Sequence, residues 1–430
     1  MKTLVVREYA RLTIDTIKPT MDLAQIPSSA FEWLCNLSSG FKKGGAPLLQ
    51  IENRRYLKLD NYVGIVKTPC GTILEILPKH SETSNEEDIQ GSRKLLTKML
   101  KIALDLPLRT TDKADIETFN YPLLEWLMKE FTLALDHLIK RGIRFYYLRI
   151  EEEQRYLRGK LDIVKRMRQA PGRDHIFPIR HDVFLADRPE NRLLKTALLR
   201  VCKTTQQPDT WRLSHELAGL LAEIPESQDI KSDFRLWQSS RLMTHYKPIH
   251  PLCELMLSQH MPLALFGKTE GISLLFPMEK LFERYVDYSI RKVLPSPYTM
   301  RAQAASMSLC NHNEREMFQL KPDFLIQLDN KTVLVMDTKW KLISELDGVN
   351  KYGLSQNDFY QLFAYGHKYL EAKGEMLLIY PITNKFSNGL PPFDFDISND
   401  LRLWVAPFDL ENDKLIWPSA LKDQKLAALQ

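Results

Sequence analysis

In the C-terminal part of the chain, two short apolar runs flank a polar turn. The runs are Phe324–Leu328 and Val333–Met336, and the turn between them is Asp329-Asn330. Apolar runs of this length on either side of such a turn are typical of a β-hairpin. The pattern therefore predicts two adjacent antiparallel strands at this point.

The apolar pattern divides the rest of the chain into three regions. Residues 1–85 alternate or run apolar as β-strands do, whereas residues 86–265 mainly show the three- and four-residue spacing of helices. Residues 266–430 mix both patterns. We predict an α+β multidomain chain with a β-rich N-terminal domain, a mainly helical middle domain and a C-terminal α/β domain.

The C-terminal region has the most regular order of elements. A helix is predicted from Pro277, followed by the hairpin, a helix at Phe359–Leu370 and an apolar strand at Met376–Tyr380. The tail is expected to add edge strands, at Leu401–Val405 and Leu415–Trp417. This order predicts a central mixed sheet with helices against it.

Composition places the chain among globular proteins. It has 430 residues, 44% of them hydrophobic and 26% charged, and a net charge of +5, which permits nucleic-acid binding without requiring it. The five cysteines form no Cys-x-x-Cys pair, and no stretch approaches the roughly 18 apolar residues of a membrane span. We expect a cytoplasmic protein with reduced thiols and no structural zinc.

Three charged residues stand at the open end of the predicted hairpin. Asp323 precedes the first strand, and Asp337 and Lys339 end the second, two residues apart and therefore on one face. This is the Pro-Asp…(Asp/Glu)-x-Lys pattern of a large group of metal-dependent nucleases. We expect Asp323, Asp337 and the Thr338 carbonyl to ligate Mg²⁺. Lys339 is expected to orient or activate the attacking water and to offset charge on the phosphate.

Two flanking helices carry further candidate catalytic residues. Glu283, on the helix before the hairpin, is expected to complete the acidic cluster directly or through water. Gln361 and Tyr365 follow on one face of the later helix, where they could contact DNA or steady the lysine. The alternative for Tyr365 is an ordinary core aromatic.

The middle region contains a basic segment, residues 154–180, with eight Lys or Arg and two Asp. A phosphate backbone or an acidic protein surface would each suit such a segment, and the sequence does not choose between them. The candidate contacts for DNA or a partner are Arg155, Arg158, Lys160, Lys165, Arg166 and Arg168.

Several longer motifs carry a family resemblance. They are Met278-Glu-Lys-Leu-Phe-Glu-Arg-Tyr-Val, Lys321-Pro-Asp, Val335-Met-Asp-Thr-Lys-Trp and Asp358-Phe-Tyr-Gln-Leu-Phe-Ala-Tyr, with further matches at Asn61–Val66, Leu74–Lys79, Leu157–Asp162 and Asp187–Leu198. In these motifs the chain resembles the McrC family, the endonuclease subunits of the McrBC modification-dependent (type IV) restriction system, within the PD-(D/E)xK nuclease superfamily. The resemblance extends over most of the chain.

The resemblance implies roles and a partner. It assigns catalysis to Asp323, Asp337 and Lys339, while Glu283 and Gln361 match weaker family positions. McrC-like subunits act with McrB, an AAA+ GTPase that recognises modified cytosine and translocates DNA, and they stimulate its GTP hydrolysis. The partner would bind the GTP, since the P-loop look-alike at 266–269 has Pro262 where a P-loop needs Gly.

Two other functions remain open at this point. One is a nuclease of DNA repair or recombination that acts regardless of base modification. The other is a non-enzymatic activator whose main role is docking onto an AAA+ ring.

Overall fold

The computed structural model describes residues 3–41, 48–80, 86–106, 122–238, 240–257, 272–304, 306–395 and 398–418. The P-loop look-alike at 266–269 lies outside these residues. The α-helices are α1 (Ser28–Phe41), α2 (Glu86–Ala103), α3 (Leu123–Arg141), α4 (Ile163–Met167), α5 (Pro189–Thr204), α6 (Pro208–Leu220), α7 (Ile230–Leu236), α8 (His250–Met256), α9 (Met278–Val293) and α10 (Gln356–Tyr369).

The strands fall into an N-terminal, a middle and a C-terminal set. The first seven are β1 (Thr3–Arg7), β2 (Arg11–Thr13), β3 (Leu23–Gln25), β4 (Leu49–Ile51), β5 (Tyr56–Leu59), β6 (Tyr62–Lys67) and β7 (Ile73–Leu77). The next four are β8 (Tyr146–Gln154), β9 (Lys160–Leu161), β10 (Phe177–Leu185) and β11 (Ile272–Pro277). The last nine are β12 (Thr299–Ala302), β13 (Met307–His312), β14 (Arg315–Leu320), β15 (Phe324–Leu328), β16 (Lys331–Thr338), β17 (Gly374–Pro381), β18 (Leu390–Phe395), β19 (Ser398–Asp409) and β20 (Lys414–Leu415).

The chain folds into two compact units. One combines residues 1–123 with residues 262–430, and the other is formed by residues 124–261. The sequence suggested three domains, 1–85, 86–265 and 266–430, so the structure groups the two ends of the chain differently. The predicted mixture of helices and sheets is present in the described residues.

A strand pairing joins the N-terminal and C-terminal parts of the first unit. β11 pairs antiparallel with β6, at the edge of a four-stranded sheet in the order β1-β7-β6-β11. Such a pairing between distant segments cannot be predicted from the local apolar pattern. Helix α9 begins at Met278, directly after β11, and the Met278 N–H donates to the Asn61 carbonyl (3.1 Å). The N-terminal sheet therefore fixes the start of the helix that carries Glu283.

The predicted hairpin is confirmed, and it lies within a larger mixed sheet. β15 and β16 pair antiparallel, whereas β16–β17 and β17–β19 pair parallel. The strand order is β12-β15-β16-β17-β19-β18, with β20 paired to β19. Helix α10 packs its buried residues Leu362 and Tyr365 into the core on one face of this sheet. The predicted central mixed sheet is therefore present.

The tail strand is not at the edge, contrary to the expectation for Leu401–Val405. β19 lies between β17 and β18, so both of its sides are paired. Leu401, Leu403 and Val405 are each at most 1% exposed. An apolar run in an interior parallel strand is buried on both faces, and its sequence alone does not reveal its place in the sheet.

The second unit, residues 124–261, is mainly helical in the residues that the structure describes. Helices α3 and α5 to α8 accompany an antiparallel ribbon in which β10 pairs with both β8 and β9. The basic segment lies on this ribbon and on the connection that carries α4. Among the parts of the chain that the structure describes, no helix is long and apolar enough to cross a membrane.

Replacing Gly64 by alanine is expected to destabilise the first unit strongly. Gly64 has φ +132°, and a Cβ there would lie 2.0 Å from the Leu274 carbonyl oxygen of β11. Relief of this clash requires β6 and β11 to separate. We expect the free energy of unfolding to fall by at least about 3 kcal/mol in urea denaturation.

Gly71→Ala is the matched control for this prediction. Gly71 also has a positive φ, +86°, but no atom lies within 4 Å of its would-be Cβ. The Gly71→Ala variant should lose only the stability that alanine costs in a left-handed backbone conformation, about 1 kcal/mol. Equal losses in the two variants would show that the β6–β11 contact does not set the stability.

Candidate functional site

The hairpin places Asp323 beside the end of β16. Asp323 directly precedes β15, and Phe324 pairs with Met336 across the hairpin. The Thr338 backbone N–H and its hydroxyl both donate to Asp323 Oδ2, each at 2.7 Å. The first predicted carboxylate is therefore held against the strand that carries the second.

Lys339 lies one residue beyond the end of β16 and contacts Asp337. Its ammonium forms an ion pair with the Asp337 carboxylate. Lys339 Nζ also lies 3.5 Å from Gln361 Oε1 and 4.0 Å from Asp358 Oδ1. The Lys339 backbone N–H donates to the Ile379 carbonyl of β17 (2.9 Å), which fixes the main chain here. The structure thus brings Asp323, Asp337 and Lys339 together, as the sequence pattern predicted.

Burial and the negative charge of nearby carboxylates raise the pKa values of both aspartates. Asp337 is only 2% exposed, and burial raises its pKa despite the attraction of Lys339. The pKa of Asp323 rises to about 7, first through burial and then through the charges of Asp337 and Glu283. The hydrogen bonds from Thr338 oppose that rise. A cation beside these buried carboxylates would stabilise their charged forms.

The pKa of Lys339 is also raised, although the side chain is largely buried. Burial alone would lower the pKa of Lys339, but the Asp337 carboxylate and the more distant Asp358 and Asp323 outweigh it, so the pKa is raised. The side chain remains 26% exposed. Lys339 is therefore a charged ammonium with access to a bound anion.

Glu283 of α9 belongs to the same acidic cluster but makes its hydrogen bonds elsewhere. Its two oxygens accept from Lys280 Nζ (2.6 Å) and from Gln303 Nε2 (2.7 Å). The Gln303 backbone N–H in turn donates to the Asp323 carbonyl (2.8 Å). Glu283 is 6% exposed, and its charge raises the pKa values of both aspartates. Glu283 is therefore linked to the two aspartates by its charge and by the hydrogen bonds of Gln303.

Gln361 and Tyr365 on α10 lie one turn apart, as predicted. Gln361 Nε2 donates to the Tyr365 hydroxyl (2.6 Å), which donates to the Lys321 carbonyl (3.0 Å). Tyr365 is 3% exposed. The structure therefore favours a core position for Tyr365 over direct DNA contact, with its hydroxyl fixing the amide that approaches Lys339.

The donor chemistry of the site fits Mg²⁺. No group of three or more His, Cys, Asp or Glu side chains suited to a metal ion occurs among the described residues. Mg²⁺ needs no such group, because it keeps several waters and commonly takes one or two carboxylates from a protein. Asp323 and Asp337 supply two oxygen ligands whose repulsion a divalent cation would relieve. The predicted part of the Thr338 carbonyl stays a prediction.

The basic segment is partly neutralised within the second unit. Lys165 pairs with Glu151 (2.6 Å), and Arg166 donates to the carbonyls of Ile176 and Asp174 (both 2.7 Å). The predicted contact residues Arg155, Arg158, Lys160 and Arg168 are exposed. The acidic partners Glu151 and Glu153 lie on β8, outside the segment, whereas Asp162, which pairs with Arg180, lies inside it, so part of the positive charge is paired.

One site neighbour could have been identified from the sequence, and another could not. Asp358 precedes Gln361 by three residues on α10 and therefore shares its face. Glu8 is far from the hairpin in sequence, yet its Oε1 accepts from Trp340 Nε1 (2.6 Å) and from the Lys79 backbone N–H (2.7 Å). Glu8 is fully buried, and this burial raises its pKa to about 7. The N-terminal sheet thus supports the residue next to Lys339.

The structure thus places Asp323, Asp337 and Lys339 at one end of a hairpin inside a mixed sheet. The family model of the McrBC 5-methylcytosine restriction system component matches residues 57–381. The chain therefore belongs to the McrBC family of restriction-system components, as its motifs predicted.

Solved structures share the fold. A structure of Thermococcus gammatolerans McrB AAA+ hexamers with bound McrC matches with a TM-score of 0.73 and 18% identity, covering 97% of each chain. Another structure, the Thermococcus gammatolerans McrBC complex, matches with a TM-score of 0.54 and 19% identity, over 69% of this chain and 89% of the other. No curated protein sequence matches the chain.

Glu8→Gln is expected to become more stable than the wild type as the pH rises from 5 to 8. The pKa of Glu8 rises from 4.5 to about 7 on folding. The stability contributed by its protonated form is therefore complete below 4.5 and is lost as the pH rises through about 7. Glutamine keeps an acceptor for Trp340 and Lys79 without this loss, so the gain should reach about 3 kcal/mol at pH 8.

Urea unfolding at several pH values measures this difference. Glu314→Gln, at an exposed turn, is the control and should show no gain that grows with pH. A constant offset between Glu8→Gln and the wild type from pH 5 to pH 8 would contradict the prediction.

Proposed function

We propose that this chain is the Mg²⁺-dependent endonuclease subunit of a McrBC-like restriction complex, and that it cuts DNA containing modified cytosine. The observation that carries the proposal is the convergence of Asp323, Asp337 and Lys339 at one end of the hairpin. Membership of the McrBC family, by the match over residues 57–381, supports the restriction context.

The proposed roles follow from the contacts. Asp323 and Asp337, with the Thr338 carbonyl, hold Mg²⁺, which supplies an activated water and positive charge at the phosphate when bound. Lys339 orients that water and offsets charge on the phosphate. Gln361, fixed by Tyr365, limits the positions open to the Lys339 ammonium. Glu283 adds negative charge that favours retention of the cation.

We propose further that the chain acts with a McrB-like AAA+ GTPase, which binds the GTP, and that it stimulates GTP hydrolysis. The structure that matches over 97% of both chains is one of McrB AAA+ hexamers with bound McrC. This likeness supports an assembly of the same kind for the present chain.

The ribbon of the second unit is the proposed contact to this motor. The connection between β8 and β10 exposes several apolar side chains, between 58% and 81% of their surface: Tyr156, Leu157, Ile163, Val164 and Met167. Adjacent exposed apolar residues are typical of protein interfaces. Since much of the basic charge there is paired within the ribbon, a protein partner is favoured over a phosphate backbone.

Replacing Leu157 or Val164 by aspartate tests this contact. A charge in an apolar interface should weaken stimulation of GTP hydrolysis at least about 10-fold at limiting chain concentration. Leu220→Asp is the control, because Leu220 lies on α6 of the same unit and is at least as exposed (68%) as the two ribbon residues (58%). Unchanged stimulation in both ribbon variants would exclude this surface.

Cleavage of methylated DNA is measured with the chain, its motor, GTP and Mg²⁺. In this assay we expect cutting to be lost in Asp337→Ala and in Lys339→Ala. Loss of a metal ligand or of the ammonium removes charge stabilisation, so the rate should fall at least about 100-fold. GTP hydrolysis should remain stimulated, because the proposed motor contact lies in the other unit. Gel analysis of cleavage and a phosphate-release assay measure the two activities.

Asp329→Asn and Lys331→Ala, at the turn of the same hairpin, are the matched controls and should cut normally. Wild-type rates in Asp337→Ala and Lys339→Ala would show that the site is elsewhere. Equal cutting of methylated and unmethylated DNA would favour a repair or recombination nuclease. Stimulated GTP hydrolysis without cutting by the wild type would favour a non-enzymatic activator.

A further inference from the structure

A cleft of about 520 Å³ adjoins the candidate site within the first unit. Its wall is formed by Glu8, Tyr9 and Lys79 from the N-terminal strands and by Lys339, Trp340 and Lys341 from the end of the hairpin. Its size is that of a small-molecule pocket. Because Lys339 is common to the cleft and the candidate site, an occupant of the cleft would lie beside the reacting phosphate.

A buried carboxyl oxygen in this cleft has no partner. Glu8 Oε1 accepts from Trp340 and Lys79, but Glu8 Oε2 forms no hydrogen bond with any residue that the structure describes. The residue is 0% exposed. Buried polar atoms are nearly always paired, so this oxygen retains the capacity to form one further hydrogen bond.

The wall of the cleft also includes the aromatic ring of Tyr9, a residue with a strained backbone conformation. Tyr9 has φ +64°, a left-handed conformation that a bulky aromatic residue rarely adopts, and its side chain is 38% exposed. The Trp340 ring lies in the same wall and is held by its hydrogen bond to Glu8. Trp340 is buried, whereas the exposed ring of Tyr9 can accept a planar ring by stacking.

Carboxyl groups in the wall of the cleft disfavour a simple phosphate pocket. Lys79, Lys339 and Lys341 share this wall with the carboxylates of Glu279 and Asp358 and with the buried carboxyl of Glu8. In addition, Lys341 Nζ donates to the Gly353 carbonyl (2.6 Å). A balanced set of charges around aromatic rings suits an uncharged, planar ligand with donors and acceptors on its edge.

We propose that the cleft binds one nucleobase of the DNA strand next to the bond that is cut. The base would stack on Tyr9 and present its hydrogen-bonding edge to polar side chains of the wall such as Lys79 and Glu279. This inference rests on the proposed nuclease function and goes further, because a base can enter such a cleft only after it has left the helical stack. The site would therefore act on locally unpaired DNA.

The test is binding of a single-stranded oligonucleotide with one 2-aminopurine, at fixed salt and without divalent metal. The wild-type full-length chain should quench the fluorescence by stacking. Tyr9→Asn removes the ring at a position whose left-handed backbone asparagine tolerates. It should weaken binding about 10-fold and abolish the quench. Tyr9→Trp should restore both.

Two further variants make the test decisive. Leu342 also lines the cleft, and the larger side chain of Leu342→Trp should fill it and weaken binding while Tyr9 stays in place. This variant tests the proposal if Tyr9→Asn fails to fold. Lys331→Ala, at the distant turn of the hairpin, is the charge control and should bind normally. Wild-type binding and quenching in both Tyr9→Asn and Leu342→Trp would overturn the proposal.

A cleavage assay separates this proposal from the nuclease function. With the motor, GTP and Mg²⁺, the wild type should cut a methylated duplex with one bulged nucleotide faster than a fully paired one, and Tyr9→Asn should lose this preference. If the wild type cuts neither duplex while the Tyr9-dependent quench persists, the nuclease function is wrong and the cleft remains a base site. If it cuts both equally, the cleft proposal alone is contradicted.

Discussion

The pairing of β6 with β11 is the contact on which the rest of the first unit depends. It joins Tyr62–Lys67 to Ile272–Pro277, and α9 starts at the next residue. The position of Glu283 is therefore set by a sheet built from the first 80 residues. The hydrogen bond from Trp340 to Glu8 adds a second link, directly beside Lys339. The N-terminal region is thus part of the structure that shapes the candidate site.

A second constraint is the concentration of negative charge at the end of the hairpin. Burial raises the pKa values of Asp323 and Asp337, the charge of Asp337 raises that of Asp323 further, and the charge of Glu283 raises both. Such an arrangement stores unfavourable electrostatic energy in the protein alone, which a divalent cation can release. Lys339 partly offsets it through Asp337. The proposed metal binding and the stability of the metal-free chain therefore make opposite demands on these few residues.

The sequence predicts the hairpin and its three charged residues because these depend on local pairing. A turn between two apolar runs fixes which residues face one another, and helical spacing places Gln361 with Tyr365. The β6–β11 pairing and the contact of Glu8 with Trp340 depend on distant segments, and no local pattern contains them. The interior position of β19 was missed for the same reason. The basic segment was overestimated because Glu151 and Glu153, its ion-pair partners, lie outside it or at its border.

The central claim is that Asp323 and Asp337 jointly hold the divalent metal of a nuclease centre. Calorimetric titration of the chain with Mn²⁺ or Mg²⁺ tests it without reference to DNA or to the motor. One ion should bind to the wild type and to Lys339→Ala, and binding should be lost in Asp323→Asn and in Asp337→Asn. Unchanged metal binding in both asparagine variants would contradict the account.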